Sequence, residues 1–389
     1  MLNNVQIKNL IEIHNRYKEP LYLFDREQLI RNFLSLETSF NKIYPNTKIA
    51  YSYKTNPVTY ICRLVSSLGG LSEVVSPMEF RHAKNNVKVQ TNNIIYNGVC
   101  HDDYGKSSHT KNGCIVNVDS LREFERLSLT LHGSGCKIGI RIMTNPHTRF
   151  GMSEQEVNTA ITIANKNNIE INGIHCHDGF DRSVTAWHKK IPKIFDIADN
   201  ISKSFKLDYI DIGGHFFSCM DDRLKEQFDC HIPDFQEYAD VIAKKFTNKY
   251  GENGPTLILE PGTALVANTV SVLAIVIDVK KREPQKIVTV DVCCHDLGAM
   301  NKNRPADIVQ CKCNIENKCL IAGYTCIEND VIHRDYNRDL NIGDILLFRD
   351  CGAYSNSMKP QFIMPQLSML RVNSNFEPEA MIKPRKSIF

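Results

Sequence analysis

The chain has 389 residues, 42% of them hydrophobic and 23% charged, with a formal net charge of +3. That length exceeds what one core usually holds, so two domains are expected, and the composition is ordinary for a soluble globular protein. The basic residues are scattered and not interleaved with aromatics, which argues against a nucleic-acid partner, and no apolar run reaches membrane-spanning length.

The N-terminus, Met1-Leu2-Asn3-Asn4-Val5, lacks the charged-then-apolar plan of a signal peptide. With 14 cysteines, mostly free thiols are expected, and the reading is a cytoplasmic protein. Pro20–Phe24 is a first strand candidate. From Lys48 to Gly262 a unit recurs, in which a short apolar strand ends in polar or small residues and a helical pattern follows. The strand candidates are Lys48–Lys54, Leu71–Ser76, Asn93–Asn97, Cys114–Asp119, Lys137–Ile142, Ile171–His177, Leu207–Gly213 and Thr256–Glu260. Between them, Asp119–Leu127 has a cap and apolar positions at Leu121, Phe124 and Leu127, and Ser153–Asn165 and Phe235–Asn248 have similar patterns.

Eight strands alternating with helices fit a (β/α)8 barrel. A doubly wound open sheet is the alternative, but its phosphate-binding glycine fingerprint is missing. After Gly262 the texture turns β-rich, with candidates Thr269–Ile277, Lys286–Val292, Cys319–Ala322, Ile345–Arg349 and Phe362–Val372. The fold expected is therefore α/β: a barrel over 34–263, and a second, all-β domain of sandwich or barrel type over 1–33 and 264–389. The strand at Pro20–Phe24 would join that second sheet, and Lys383–Phe389 would form a loose tail.

A barrel places its active site at the C-terminal ends of its strands. Those ends here carry Lys54, Ser76, Asn97, Asp119, Arg141, His177, Gly213-Gly214 and Glu260. An isolated strand-end lysine ordinarily extends its stem to water. Lys54 follows the mostly apolar Ile49–Tyr53, where burial would lower its pKa and favour the neutral, nucleophilic amine that forms Schiff bases. Glu260, after Leu257-Ile258-Leu259, could cap the barrel or hold a pyridine nitrogen protonated. His177 could stack on a cofactor ring, and Gly213-Gly214 could bring backbone N–H groups to a phosphate.

No metal is expected. Cys293, Cys294, Cys311, Cys313, Cys319 and Cys326 lack C-x-x-C spacing, and the alternation of His175-x-His177 supplies no third ligand.

The ordered motifs resemble the barrel-type pyridoxal-phosphate-dependent decarboxylases, the diaminopimelate/ornithine/arginine decarboxylase group, over nearly the whole chain. Tyr53-Lys54-Thr55-Asn56 is similar to the cofactor-lysine motif and Glu73–Glu79 to the second-strand motif. Asn117–Ser120 and Thr148–Gly151 also match. His177-Asp178-Gly179 resembles the ring-stacking motif, Asp211–Gly214 the phosphate glycine loop and Glu260-Pro261-Gly262 the pyridine-nitrogen motif. Cys326–Asp330 resembles a loop that reaches into the partner subunit's site, and Asp350–Tyr354 a segment whose tyrosine contacts the phosphate.

The resemblance implies pyridoxal 5'-phosphate as cofactor and a homodimer with shared active sites. Lys54, Cys326, His177 and Glu260 would be catalytic, with Cys326 as proton donor. Lys54, Glu73, His177, Gly213, Gly214, Glu260, Thr263 and Tyr354 would hold the cofactor. Arg304, Glu328 and Asp330 would meet an amino-acid substrate.

The chain departs from the family pattern at Phe180, His215 and Thr263, where a serine, a glycine and an arginine are usual around the phosphate. It departs again at Ile327, where an acidic residue reads a distal amino group, and at Ile308, where a tyrosine follows the Arg-Pro segment. The substrate expected is a carboxylate-bearing or acylated diamino acid, such as a citryl-linked siderophore precursor. Two rival readings are an inactive homologue that binds a partner, suggested by the altered phosphate positions, and an amino-acid racemase. Racemases of this barrel usually place arginine where Glu260 stands.

Overall fold

A computed structural model describes residues 2–100, 103–298, 302–311 and 318–383. The chain divides into two compact units: 33–217 with 231–264, and 1–32 with 218–230 and 265–389. The first strand, β1 (Leu21–Asp25), belongs to the second of these.

The first unit is a closed barrel of eight parallel strands: β2 (Thr47–Ser52), β3 (Leu71–Val74), β4 (Ile94–Tyr96), β5 (Ile115–Val118), β6 (Lys137–Arg141), β7 (Glu170–His175), β8 (Tyr209–Asp211) and β9 (Thr256–Leu259). β9 closes onto β2, with Thr47 opposite Leu257. The intervening helices start where the sequence provides caps. Ser120 caps Leu121–Thr130, and capping boxes at Ser153 and Asp234 open Glu154–Asn167 and Phe235–Tyr250.

The barrel interior is filled by Ala50, Leu71, Ile95, Tyr209 and Ile258. Tyr209 fits because its neighbours on β6 and β7 are glycines. A Cβ on Gly173 would stand 1.9 Å from the Tyr209 ring, and one on Gly139 2.0 Å from its hydroxyl. That hydroxyl donates to Asn117 Oδ1 at 2.7 Å, so the ring is fixed at both ends.

The second unit is a nine-stranded mixed sheet. It adds β10 (Val270–Lys280), β11 (Lys286–Val290), β12 (Ala306–Gln310), β13 (Cys319–Ala322), β14 (Val331–Tyr336), β15 (Ile345–Phe348), β16 (Ser368–Val372) and β17 (Pro378–Lys383) to β1. β1 lies between β10, antiparallel, and β16, parallel, as the expected joining of the N-terminal strand requires. A helix over Asn4–Tyr17 packs Leu10 and Ile13 onto Leu21, Leu273 and Leu347.

The sequence reading marks no strand at β12, β14 or β17. β14 buries two of its six residues and β17 none, so neither shows a continuous buried stripe. The candidate Phe362–Val372 begins six residues late, at Ser368, because Ile363 turns left-handed (φ 51°) before Pro365. Residues 218–230 join the sheet unit rather than the barrel: Asp221 N–H donates to Asp350, Arg223 pairs with Asp307 and Asn303 N–H donates to Gln227.

No disulfide joins any two of the 13 described cysteines, and no described helix is long and apolar enough to cross a membrane. Cys313 and the tail beyond Lys383 lie outside the described residues.

Candidate active site

All eight predicted barrel-strand ends lie one or two residues beyond their strands. β2 stops at Ser52, and Lys54 sits in a single 3-10 turn, Tyr53–Thr55; β7 stops at His175 and β8 at Asp211. Lys54, His177 and Gly213 therefore occupy loops at the C-terminal mouth.

The expected burial of Lys54 does not occur. Its side chain is 39% exposed, and its ammonium pairs with the buried Glu73 carboxylate at 2.7 Å. From Glu73 a chain of contacts crosses the barrel. Asn97 Nδ2 donates to Glu73 Oε1 at 3.3 Å and to Glu260 Oε1 at 2.5 Å, and Asn117 braces Asn97 through a 2.8 Å bond to its Oδ1. The second Glu260 oxygen meets His175 Nε2 at 3.2 Å. Side chains from five strands or their ends thus fix Glu260 before any ligand binds.

Burial alone would raise the Glu260 pKa. His175 beside it, the Lys54 charge and a hydrogen bond with Asp211 together outweigh that and hold the carboxyl below the ordinary range. Asp211 is displaced the opposite way: burial first, then the neighbouring Glu260 charge, keep it protonated far above the usual carboxylate value. Two acids this close in a dry site do not both ionise, and Glu260 takes the charge.

His175, Asp211 and Glu260 bring ligating atoms within 4.8 Å of one another, and no such group among the described residues includes a cysteine. The two oxygen-bearing partners of His175, Asp211 and Glu260, come from β8 and the end of β9, a convergence that local alternation in sequence does not reveal.

His177 is held by its surroundings. Its Nδ1 accepts from the Gly214 N–H at 3.1 Å, which leaves the proton on Nε2, and its carbonyl accepts from Arg141 at 2.8 Å. Burial lowers its pKa to about 3 against the opposing pull of Glu260, so the ring is neutral. Arg141 also pairs with Asp119 at 3.0 Å.

The glycines after β8 permit close packing of strand ends. A Cβ on Gly213, at φ 70°, would lie 2.6 Å from the Cys176 carbonyl oxygen, and one on Gly214 2.3 Å from that of Glu260. Their N–H groups already donate, Gly213 to Asp211 at 2.8 Å and Gly214 to His177. His215 follows in the same left-handed region at φ 72°, at a cost of about 1 kcal/mol for a residue with a side chain. Thr263 opens a short helical turn, Thr263–Val266. Phe180 is 60% exposed.

In the sheet unit, Cys326, Ile327 and Glu328 are exposed on the loop between β13 and β14. The Asp330 carboxylate beneath them is buried and accepts from Thr325 N–H, Thr325 Oγ1 and Cys294 N–H at 3.0, 2.6 and 2.7 Å. Arg304 is buried and donates to the Asp350 carbonyl at 2.9 Å. Ile308 lies half-buried on β12. Tyr354 borders a cavity of about 770 Å³ together with His295, Lys302, Asn303 and Arg334, and among the described residues no acidic side chain lines it.

Sequence reading passed over three residues that this geometry brings forward. Asn97 stood among the strand ends without a role, His175 was weighed only for metal, and Asp211 was read as the lead-in to two glycines. Their positions at the C-terminal ends of β4, β7 and β8 were the available signal.

The residues suit pyridoxal phosphate at one end. An amine at Lys54, an ionised carboxylate at Glu260 and a neutral imidazole at His177 match an aldehyde, a ring nitrogen and a ring face. At the phosphate end the two glycine amides are already engaged, while His215 Nε2 is buried with no hydrogen-bond partner among the described residues.

A family profile described as "Pyridoxal-dependent decarboxylase, pyridoxal binding domain" matches residues 27–267, more than half of the chain. Diaminopimelate decarboxylase of Methanocaldococcus jannaschii is 26% identical, covering 97% of this chain and 89% of its own. That of Aquifex aeolicus is 24% identical over 92% and 87%. Among solved structures, diaminopimelate decarboxylase of Helicobacter pylori complexed with L-lysine superposes with a TM-score of 0.84 at 22% identity, covering 97% of this chain and 96% of that one. Lysine/ornithine decarboxylase of Vibrio vulnificus complexed with cadaverine gives 0.83 at 19% identity, covering 96% and 98%.

Proposed function

We infer, for a chain that belongs to the pyridoxal-dependent decarboxylase family, that its substrate is an amino acid whose far end bears carboxylate or acyl groups. Its cofactor is pyridoxal 5'-phosphate and it is an amino-acid decarboxylase. When bound, the cofactor supplies an electron-poor ring that accepts the electron pair released as CO2 departs.

In this reading Lys54 holds the cofactor covalently, with Glu73 orienting the amine at 2.7 Å. Glu260, ionised and fixed by Asn97 and His175, keeps the ring nitrogen protonated. His177 offers a neutral face to the ring. Cys326, exposed on its loop, delivers a proton to the substrate Cα of the partner subunit's site. The Lys54–Glu73 pair and the ionised Glu260 speak against an inactive homologue.

The observation that carries the substrate class is the sheet unit's cavity of about 770 Å³, lined by His295, Lys302 and Arg334 and, among the described residues, by no acid. Such a surface suits carboxylates and disfavours a distal ammonium. The exposed Ile327 at the position expected to be acidic points the same way. A citryl-linked diamino acid, of the kind used in siderophore assembly, satisfies both.

The test is CO2 release from free diamino acids and from their citryl conjugates. The conjugates are expected to turn over with the higher kcat/KM; a preference for free ornithine, lysine or diaminopimelate would overturn the assignment.

A homodimer in the cytoplasm completes the reading. Met358, Phe362, Ile363 and Met364 leave apolar side chains exposed in the sheet unit, and no disulfide joins any two of the described cysteines. Mixing inactive Lys54→Ala and Cys326→Ala chains should restore activity through heterodimers. A mixture that stays inactive would exclude sharing of the two residues between subunits.

A further inference from the structure

We propose that the His215 side chain donates a hydrogen bond to the cofactor phosphate, supplying through an imidazole what the glycine loop does not supply through its first two amides. The loop follows β8, the barrel's seventh strand, and phosphate sites in this fold gather at the loops after the seventh and eighth strands. Gly213 and Gly214 direct their N–H groups to Asp211 and His177 and have none to spare.

His215 is the next residue, and three features set it apart. Its backbone is left-handed, a conformation that a residue with a side chain keeps only where the surroundings enforce it. Its Nε2 is buried without a hydrogen-bond partner among the described residues, and a buried donor in that condition is costly until something accepts from it. Its ring lies over the turn that bears His177. The two rings meet edge-on with centroids 6.2 Å apart, and His215 Cε1 is 4.0 Å from where a Cβ on Gly179 would stand.

Phe180, the next residue of that turn, faces solvent, so its side chain leaves this space to the imidazole. Arg182 and Lys190 add positive potential around the ring, and with burial they keep it neutral, a state that still carries one N–H. The same cations favour an arriving phosphate.

The experiment titrates the full-length apoprotein with pyridoxal phosphate and, separately, with pyridoxal, which lacks the phosphate, and follows binding by absorbance. His215→Ala and His215→Gly are expected to weaken pyridoxal phosphate about tenfold or more while leaving pyridoxal within about twofold. Glycine suits the left-handed backbone, so agreement of the two variants separates the lost donor from backbone strain. His215→Asn, which tolerates that backbone and keeps an N–H, should recover part of the affinity. Variants that keep the wild-type preference for the phosphorylated form, or that lose both ligands equally, would overturn the proposal. No amino-acid substrate is added, so the outcome is independent of what the enzyme decarboxylates.

Discussion

Around Glu260 the barrel is interlocked: Glu73, Asn97, Asn117, His175 and Asp211 converge from different strands, and most of their polar atoms are satisfied within the protein. The loop after β8 is assembled otherwise. It relies on two glycines, a strained His215 and an ion pair between Lys190 and Asp178 beneath the neighbouring turn. In the proposed reading the first region would set the electronic state of a bound ring, and its members depend on one another for their hydrogen bonds. The second must only present donors to a dianion, which many arrangements of side chains and backbone can do. In the proposed reading, the altered residues Phe180, His215 and Thr263 would all lie toward the phosphate end of the site, and none at the ring end.

Glu260→Gln is the sharpest way to test this contrast. Its shape is kept, so the fold should survive, but the charge facing the ring nitrogen is lost and kcat should fall about 100-fold or more. A drop of less than about tenfold would mean that the interlocked end does not govern the chemistry.

Asp178→Ala probes the other region. It leaves Lys190, 9% exposed, without the carboxylate that it meets at 3.1 Å. Breaking such a buried pair costs about 3–5 kcal/mol. Denaturant unfolding should show this loss, and Lys190→Met added to it should recover part. A cost under about 1 kcal/mol would show that the turn does not depend on the pair.

The smallest effect is on pH. His215 has a folded pKa of about 4 against 6.5 for the free side chain. The unfolded chain therefore takes up a proton that the folded one refuses. Stability contributed by the neutral ring is complete above about pH 6.5 and is lost as pH falls toward 4. His215→Asn removes this group, so the variant should lose less stability than wild type between pH 7 and 5, by up to about 2 kcal/mol. Equal acid sensitivity of the two chains would mean that the ring is solvated and charged.

Much of the architecture was legible because it depends on local pattern. Alternating apolar strands and capped helices announced the barrel, and the strand ends named its mouth. The edge strands β14 and β17 were missed because β14 buries only two of its six residues and β17 none, so neither carries a continuous buried stripe. Lys54 was found, but not its exposure, since its partner Glu73 arrives from the next strand. Arg304 and Asp330 were read as facing a substrate, while the fold buries both and engages them with Asp350, Thr325 and Cys294.

What the sequence determined by itself was the order of chemical groups along the chain: lysine first, histidine and glycines midway, glutamate last. Periodicity and turn residues act over a few positions, so they can place each group at the end of its own strand. Only the tertiary structure decided which groups meet. Asn97 reaches Glu260 across 163 residues, and His175 reaches it across 85. Such pairings follow from closure of β9 onto β2 and from the resulting exclusion of water. That exclusion separates the ionised Glu260 from the protonated Asp211, a difference that two carboxylic acids do not have in the unfolded chain.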